Sequence, residues 1–150
     1  MDLILWRHAE AEDSFPDQDR ALTARGQHQA RRVAQWLNGS LNAPYRVLVS
    51  PAIRTQSTAA ALTPDFETSR LVGVGASPEQ ILKAAHWPDA PTTVIVVGHQ
   101  PSLGQTAALL LSGRADHWSV RKGALWWLSY RDRHGSGQVV LRAVLNPEFI

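Results

Sequence analysis

Leu3-Ile4-Leu5-Trp6-Arg7-His8 is a short, unbroken apolar run that stops on a guanidinium and an imidazole. A run this short and uniform reads as a strand buried on both faces, as in the interior of a parallel sheet. In open α/β sheets the crevice beyond the strands' carboxyl ends is where ligands bind, and Arg7-His8 stands at that exit. The second half of the chain repeats the arrangement: Thr92–Val97 is a β-branched run that ends in Gly98-His99-Gln100-Pro101. Two strands that each deliver a histidine at the carboxyl end predict that both imidazoles face one pocket.

Between and beyond these runs, apolar periodicity alternates between strand and helix. Glu10–Arg20, with Pro16 and several carboxylates, reads as a surface loop. Leu22-Thr23-Ala24-Arg25-Gly26 opens a helix with Thr23 as N-cap, whose stripe Ala30, Val33, Ala34, Leu37 faces a core and whose stop is Asn38-Gly39. Arg46–Val49 is a second strand. Ser50-Pro51 is expected to start the next helix as N-cap and first-turn proline, continuing from Ile53 to Leu62 until Pro64. Phe66–Val72 reads as a short strand before the Gly73-Val74-Gly75 loop. Ser77-Pro78-Glu79-Gln80 carries the capping-box pattern and starts a helix to about Trp87. Pro101–Leu111 is a helix closed by Ser112-Gly113. Ala124–Tyr130 and Gln138–Leu145 read as a hairpin joined by Arg131–Gly137. This order implies a layered α/β sheet with helices on both faces and an antiparallel edge.

Composition narrows the chemistry. The 150 residues are most simply one domain, 1–150, long enough for a sizeable core. With 44% hydrophobic and 19% charged residues the chain reads as ordered and globular. Cysteine is absent, which excludes disulfides, zinc–thiolate sites and thiol nucleophiles. Met1-Asp2-Leu3-Ile4 has no basic leader and no stretch is long enough to span a membrane, so a cytoplasmic location is expected. The net charge of +2 is too small to argue for nucleic acid. Arginine makes up 13 of the 15 basic residues, and its planar fork suits phosphate or carboxylate. Most of these arginines are read as composition bias, with a functional role reserved for a few.

Three segments share one physical logic: Arg7-His8, Ser50-Pro51-Ala52-Ile53-Arg54-Thr55 and Gly98-His99. Each lies just beyond a predicted strand, and the second combines a helix N-terminus with Arg54, a pairing that favours an anion. Two guanidinium groups and two imidazoles around one tetrahedral oxyanion, phosphate foremost, would stabilise charge gathering on phosphoryl oxygens. One imidazole would serve as nucleophile and the other as hydrogen-bond donor. The nucleophile must be neutral, and neighbouring arginines disfavour protonation of a group whose free pKa is about 6.5. With positive charge supplied by arginine, no metal or other cofactor is expected.

These segments resemble, in order, the motifs of the histidine phosphatase superfamily, whose fold is phosphoglycerate-mutase-like. Arg7-His8 resembles its Arg-His-Gly signature, and Leu22–Gly26, Ser50–Thr55 and Gly98–Pro101 its later motifs. The resemblance covers nearly the whole chain. It implies a three-layer α/β/α fold with a mostly parallel sheet, His8 as phosphate-accepting nucleophile, Arg7 and Arg54 as phosphoryl ligands, and His99 completing the pocket. The short spacing between Thr55 and His99 is similar to the SixA branch of phosphohistidine phosphatases, a minimal form without the helical cap insertion. Asp65, Glu67, Glu79 and Asp89 are the only carboxylates in that span, and none stands in the family's acid-bearing context. The implied partner is a phosphorylated protein bearing phosphohistidine, in signalling or phosphotransfer. The alternatives are a phosphatase for small phosphomonoesters and a phosphoprotein-binding module without turnover.

Ala9 departs from the family's glycine without removing a functional group. Arg20 resembles a basic position of short relatives that binds substrate, against an equal reading as a surface partner of Asp19. Lys122-Gly123 is read as a plain turn in preference to a pocket rim. A metal hydrolase using His8 and His99 is disfavoured, because His-x-x-x-His spacing is absent and nearby carboxylates are confined to Glu10, Glu12 and Asp13. His28, His86, His117 and His134 have no catalytic company and read as surface or packing residues. Trp126 and Trp127, adjacent on one strand, must point to opposite faces, so they suit a core better than a nucleic-acid stacking platform.

Overall fold

The computed structural model describes residues 1–150. Ten regular elements follow in the order β1 (Asp2–Arg7), α1 (Ala24–Ser40), β2 (Tyr45–Val49), α2 (Ile53–Ala60), β3 (Glu67–Thr68), α3 (Pro78–Ala84), β4 (Thr93–Gly98), α4 (Ser102–Ser112), β5 (Leu125–Arg133) and β6 (Ser136–Leu145), with short 3-10 turns between them. The strands form one sheet in the order β3-β2-β4-β1-β5-β6. The first four are mutually parallel and the hairpin β5–β6 adds an antiparallel edge.

Alternation along the central strands sends successive side chains into two cores. Leu3 and Leu5 join Val94, Val96, Ile81 and Leu103 under α3 and α4. Ile4 and Trp6 join Ile95, Val97, Val33 and Leu37 under α1 and α2. Helices therefore cover both faces, and the expected three-layer arrangement is what forms. Trp127 enters the second core while Trp126 packs against the first, as adjacent strand positions require.

Several local expectations need correction. Thr23 does cap α1, accepting from the Gly26 amide at 2.9 Å, but the helix passes through Asn38-Gly39 to Ser40. Ser50 and Pro51 lie outside α2, whose N-cap is Ala52 without a side-chain bond; the Ser50 hydroxyl accepts from the Ala52 amide at 3.4 Å and lies 2.7 Å from His99 Nε2. Phe66–Val72 supplies only the two-residue β3, and Arg70–Val72 coils into a 3-10 turn. The Ser77–Gln80 capping box is present, though α3 ends at Ala84 rather than near Trp87. The hairpin strands are longer than expected and turn at His134-Gly135, both at positive φ.

Gly26 is required by close approach. A Cβ there would overlap the Glu10 carbonyl, so only glycine lets α1 start against the loop that leaves β1. That contact brings Leu22 and Ala30 onto the buried methyl of Ala9. No helix of the chain is long and apolar enough to cross a membrane.

Candidate active site

Register does most of the assembly. Arg7 pairs with Gly98 and Val49 with Val97, so β1, β4 and β2 end at one level. The residues that follow, His8, His99 and Ser50, emerge side by side. The His8 amide donates to the Gly98 carbonyl at 3.1 Å and the Ser50 amide to the Val97 carbonyl at 3.1 Å, which extends the ladder into the site. The two imidazole centroids stand 5.4 Å apart.

Hydrogen bonds define the imidazole tautomers. His8 Nδ1 lies 2.8 Å from the Ala9 carbonyl oxygen. A carbonyl can only accept, so Nδ1 carries the proton and the Nε2 lone pair is free. His99 Nε2 lies 2.7 Å from Ser50 Oγ, and its Nδ1 lies 3.4 Å from Arg54 Nη2. A guanidinium can only donate, so Nδ1 is the acceptor and Nε2–H points to the serine hydroxyl.

Arg54 sits one residue into α2 and is almost fully buried. Thr58 links its turn to the nucleophile loop, donating to the Arg54 carbonyl at 2.7 Å while accepting from the Ala9 amide at 3.0 Å. Arg7 Nη1 donates to the Val120 carbonyl at 3.0 Å. The Nε atoms of Arg7 and Arg54 are buried without any acceptor. Buried donors without partners are costly, and here both belong to guanidinium groups beside paired imidazoles. The chemical complement of such a pocket is an oxyanion.

Electrostatics agree with the geometry. Burial above all pushes the His8 pKa down to about 4, against an upward pull from the Ala9 carbonyl that exceeds the separate downward effects of the Arg54, Arg7 and Arg20 charges. Burial, then His8 and Arg54, pushes His99 down to about 3. Burial and the Arg54 charge also lower Arg7. Both rings are therefore neutral at physiological pH, and a lone pair on His8 is available without a general base.

Arg7, His8, Arg54 and His99 come together as the sequence predicts. Arg20 is placed one step further out: its Nε donates to the Glu12 carbonyl at 2.7 Å and Nη1 pairs with Asp17 at 3.2 Å. Its partner is thus Asp17 and not Asp19. Asp17 was missed by the sequence reading, yet its carboxylate bridges Arg20 and Arg54, reaching Arg54 Nη2 at 3.1 Å, while its carbonyl accepts from Arg54 Nη1 at 2.8 Å. Desolvation, the largest single influence, raises the Asp17 pKa, but the hydrogen bonds and charges of Arg20 and Arg54 together outweigh it and leave the group below its usual value. Ser50 and Thr58 were also missed as partners of the site. Nothing in a one-dimensional pattern marks a hydroxyl that serves an imidazole or an amide on another strand. No three His, Asp or Glu side chains gather into a set that could hold a metal ion.

Known proteins are similar to this chain in sequence and in fold. The family model for the histidine phosphatase superfamily (branch 1) matches residues 3–72, which include both the β1 and β2 exits. An uncharacterised protein of Picosynechococcus is 33% identical over 128 residues, covering 78% of this chain and 77% of its own. The phosphohistidine phosphatase SixA of Escherichia coli is 29% identical over 126 residues, covering 75% and 76%. A solved Nakamurella multipartitia structure, named as a candidate phosphohistidine phosphatase SixA, superposes with a TM-score of 0.81 at 29% identity over 97% of this chain and 95% of that one. Sequence, fold and relatives thus converge, and the chain belongs to the histidine phosphatase superfamily, branch 1, as a phosphatase.

Proposed function

We propose that this phosphatase removes phosphate from phosphohistidine on a protein through a phospho-His8 intermediate. The observation that carries the reading is the His8 tautomer: Nδ1–H is held by the Ala9 carbonyl at 2.8 Å, which leaves the Nε2 lone pair free on a ring 5.4 Å from that of His99 and within the field of Arg54 and Arg7. The Nε2 lone pair forms a bond to phosphorus as the bond from phosphorus to the substrate imidazole breaks. That imidazole departs neutral when its other nitrogen carries a proton. Water then attacks phospho-His8, giving inorganic phosphate and restoring the neutral ring. Arg7 and Arg54 balance charge on the phosphoryl oxygens, and His99, whose Nδ1 faces Arg54 Nη2 at 3.4 Å, helps to position that guanidinium. Arg20 acts on the site through Asp17.

Substrate class follows from what stands around the site. Between α2 and β4 the chain has only β3, a 3-10 turn and α3, too little to roof the pocket. Glu67 is taken by Arg46 at 2.8 Å on the exposed sheet edge. A neutral imidazole leaving group does not need a carboxylic acid over the site, so a chain without a further helical insertion between α2 and β4 suits a protein-borne phosphoryl group. The named function of the Escherichia coli relative supports the same choice. The test is competition between a phosphorylated histidine-containing phosphotransfer protein, sugar phosphates and an aryl phosphate. The phosphoprotein is expected to show the highest kcat/KM, and faster turnover of the small esters overturns the substrate assignment.

Ser50 acts as a positioning residue. Ser50→Ala removes the oxygen that holds His99 Nε2, and a bond worth about 1 kcal/mol translates into a roughly fivefold loss. The loss is expected in kcat, with KM little changed and activity partly rescued by Ser50→Thr. A change confined to KM would assign Ser50 to binding instead.

A further inference from the structure

The segment from Trp118 to Ala124 is fastened to the site along its length. The Trp118 carbonyl accepts from Gln100 Nε2 at 2.8 Å, the Gly123 amide donates to the His8 carbonyl at 3.0 Å, and the Gly123 carbonyl accepts from Trp6 Nε1 at 3.0 Å. Gly123 has φ of +74°, a conformation that turns the chain and favours glycine. Lys122-Gly123 is the turn the sequence predicts, but it also stands on the rim of a cavity, and its backbone is tied to that of His8. Arg121 and Lys122 are exposed, and neither forms an ion pair.

With Arg7 and Arg25 these two side chains line a cavity of about 800 Å³ that Arg7 joins to the catalytic pocket. Glu10 and Glu148 also stand on its wall, and Glu10 accepts from the Thr23 hydroxyl at 2.8 Å. Four cations against two carboxylates leave the groove positive. Small-molecule pockets are mostly apolar and close round their ligand, whereas this lining is nearly all polar and open to solvent. Single-stranded nucleic acid would call for stacking aromatics, and the lining contains none. A polypeptide with carboxylates near its phosphorylated residue satisfies both the polarity and the sign of the groove.

We propose that the groove walled by Arg25, Arg121 and Lys122 docks the acidic flank of the phosphoprotein substrate while its phosphoryl group reaches His8. The inference rests on the reading of the substrate as a phosphoprotein. It makes Arg121 and Lys122 determinants of which phosphoproteins are served, since rim charges set encounter and selectivity more than the chemical step.

The test uses four synthetic phosphopeptides, carrying phosphohistidine or phosphoserine, each flanked by glutamates or by lysines. The wild-type enzyme is expected to favour glutamate over lysine flanks by roughly tenfold in kcat/KM, the scale of two or three exposed ion pairs. Raising the salt is expected to shrink that ratio. Arg121→Glu combined with Lys122→Glu is expected to abolish or invert the ratio. Arg131→Glu combined with Arg133→Glu, the same charge change at the far end of β5, is expected to keep it. Absence of a flank preference in the wild type, its survival in the Arg121/Lys122 variant, or equal loss in both variants overturns the docking groove. Preference for phosphoserine over phosphohistidine at matched flanks overturns the phosphohistidine assignment and leaves the groove standing.

Discussion

His8→Ala is expected to lower kcat by on the order of 10⁴-fold or more and to abolish labelling of the chain by a radioactive phosphodonor. The effect is large because no neighbour can replace the lost lone pair. Arg7 and Arg54 are protonated donors. His99 is 5.4 Å away between ring centroids, with Nε2 bonded to Ser50 and Nδ1 facing Arg54. Wild-type protein quenched during turnover should hold an adduct that is stable to alkali and labile to acid. Its appearance in the His8→Ala protein would move the nucleophile elsewhere. A circular dichroism melt close to wild type separates lost chemistry from lost fold.

Acid is expected to weaken the fold well before the surface carboxylates are protonated. In the unfolded chain both site histidines take up a proton near pH 6.5, whereas burial and nearby arginines hold them to about 4 and about 3 in the folded chain. Above the unfolded value neither state binds the proton and nothing is lost. As pH falls from 6.5 towards 4 the unfolded chain gains protons that the folded chain refuses, so unfolding becomes easier. By pH 4.5 the loss is about 2–3 kcal/mol for each imidazole, a large share of a typical domain's stability of roughly 5–15 kcal/mol. Urea midpoints at pH 7.5 and 4.5 measure it, and His8→Asn should remove about half of the difference. A midpoint that does not move across this range would mean that the rings are not held neutral.

What the sequence made legible, it made legible through periodicity. Leu3–Trp6 and Thr92–Val97 could only be doubly buried strands, and once they are neighbours His8 and His99 must share an exit. The Ala30, Val33, Ala34, Leu37 stripe likewise left one face for α1. The misreadings share a different cause. Ser50 looks like an N-cap by local rules, yet its hydroxyl accepts only a long bond from the Ala52 amide, at 3.4 Å, and its short contact is with a buried imidazole from another strand, at 2.7 Å. Asp17 sits in a stretch that reads as solvent loop, and only the folded chain shows that both its side chain and its carbonyl hold Arg54. Lys122-Gly123 has the signature of a turn and is one. Its use as a fastening for cations depends on the His8 carbonyl, more than a hundred positions earlier in the chain. Local pattern finds elements, whereas pairings between distant polar atoms follow from the tertiary fold.

The strand that carries the nucleophile owns none of its neighbours locally. Leu3 lies against Val94 on one side and Leu128 on the other, and the carbonyl of Met1 accepts from the amide of Tyr130. Loops this long must close before either pairing repays their entropy, so folding is expected to be slow for a domain of this size. A fragment that stops short of β5 would leave a strongly apolar strand with one open edge, a template for association between chains. Dissecting this phosphatase into a catalytic half and a dispensable remainder is therefore not an option open to the experimenter, because the first strand is completed only by almost the last.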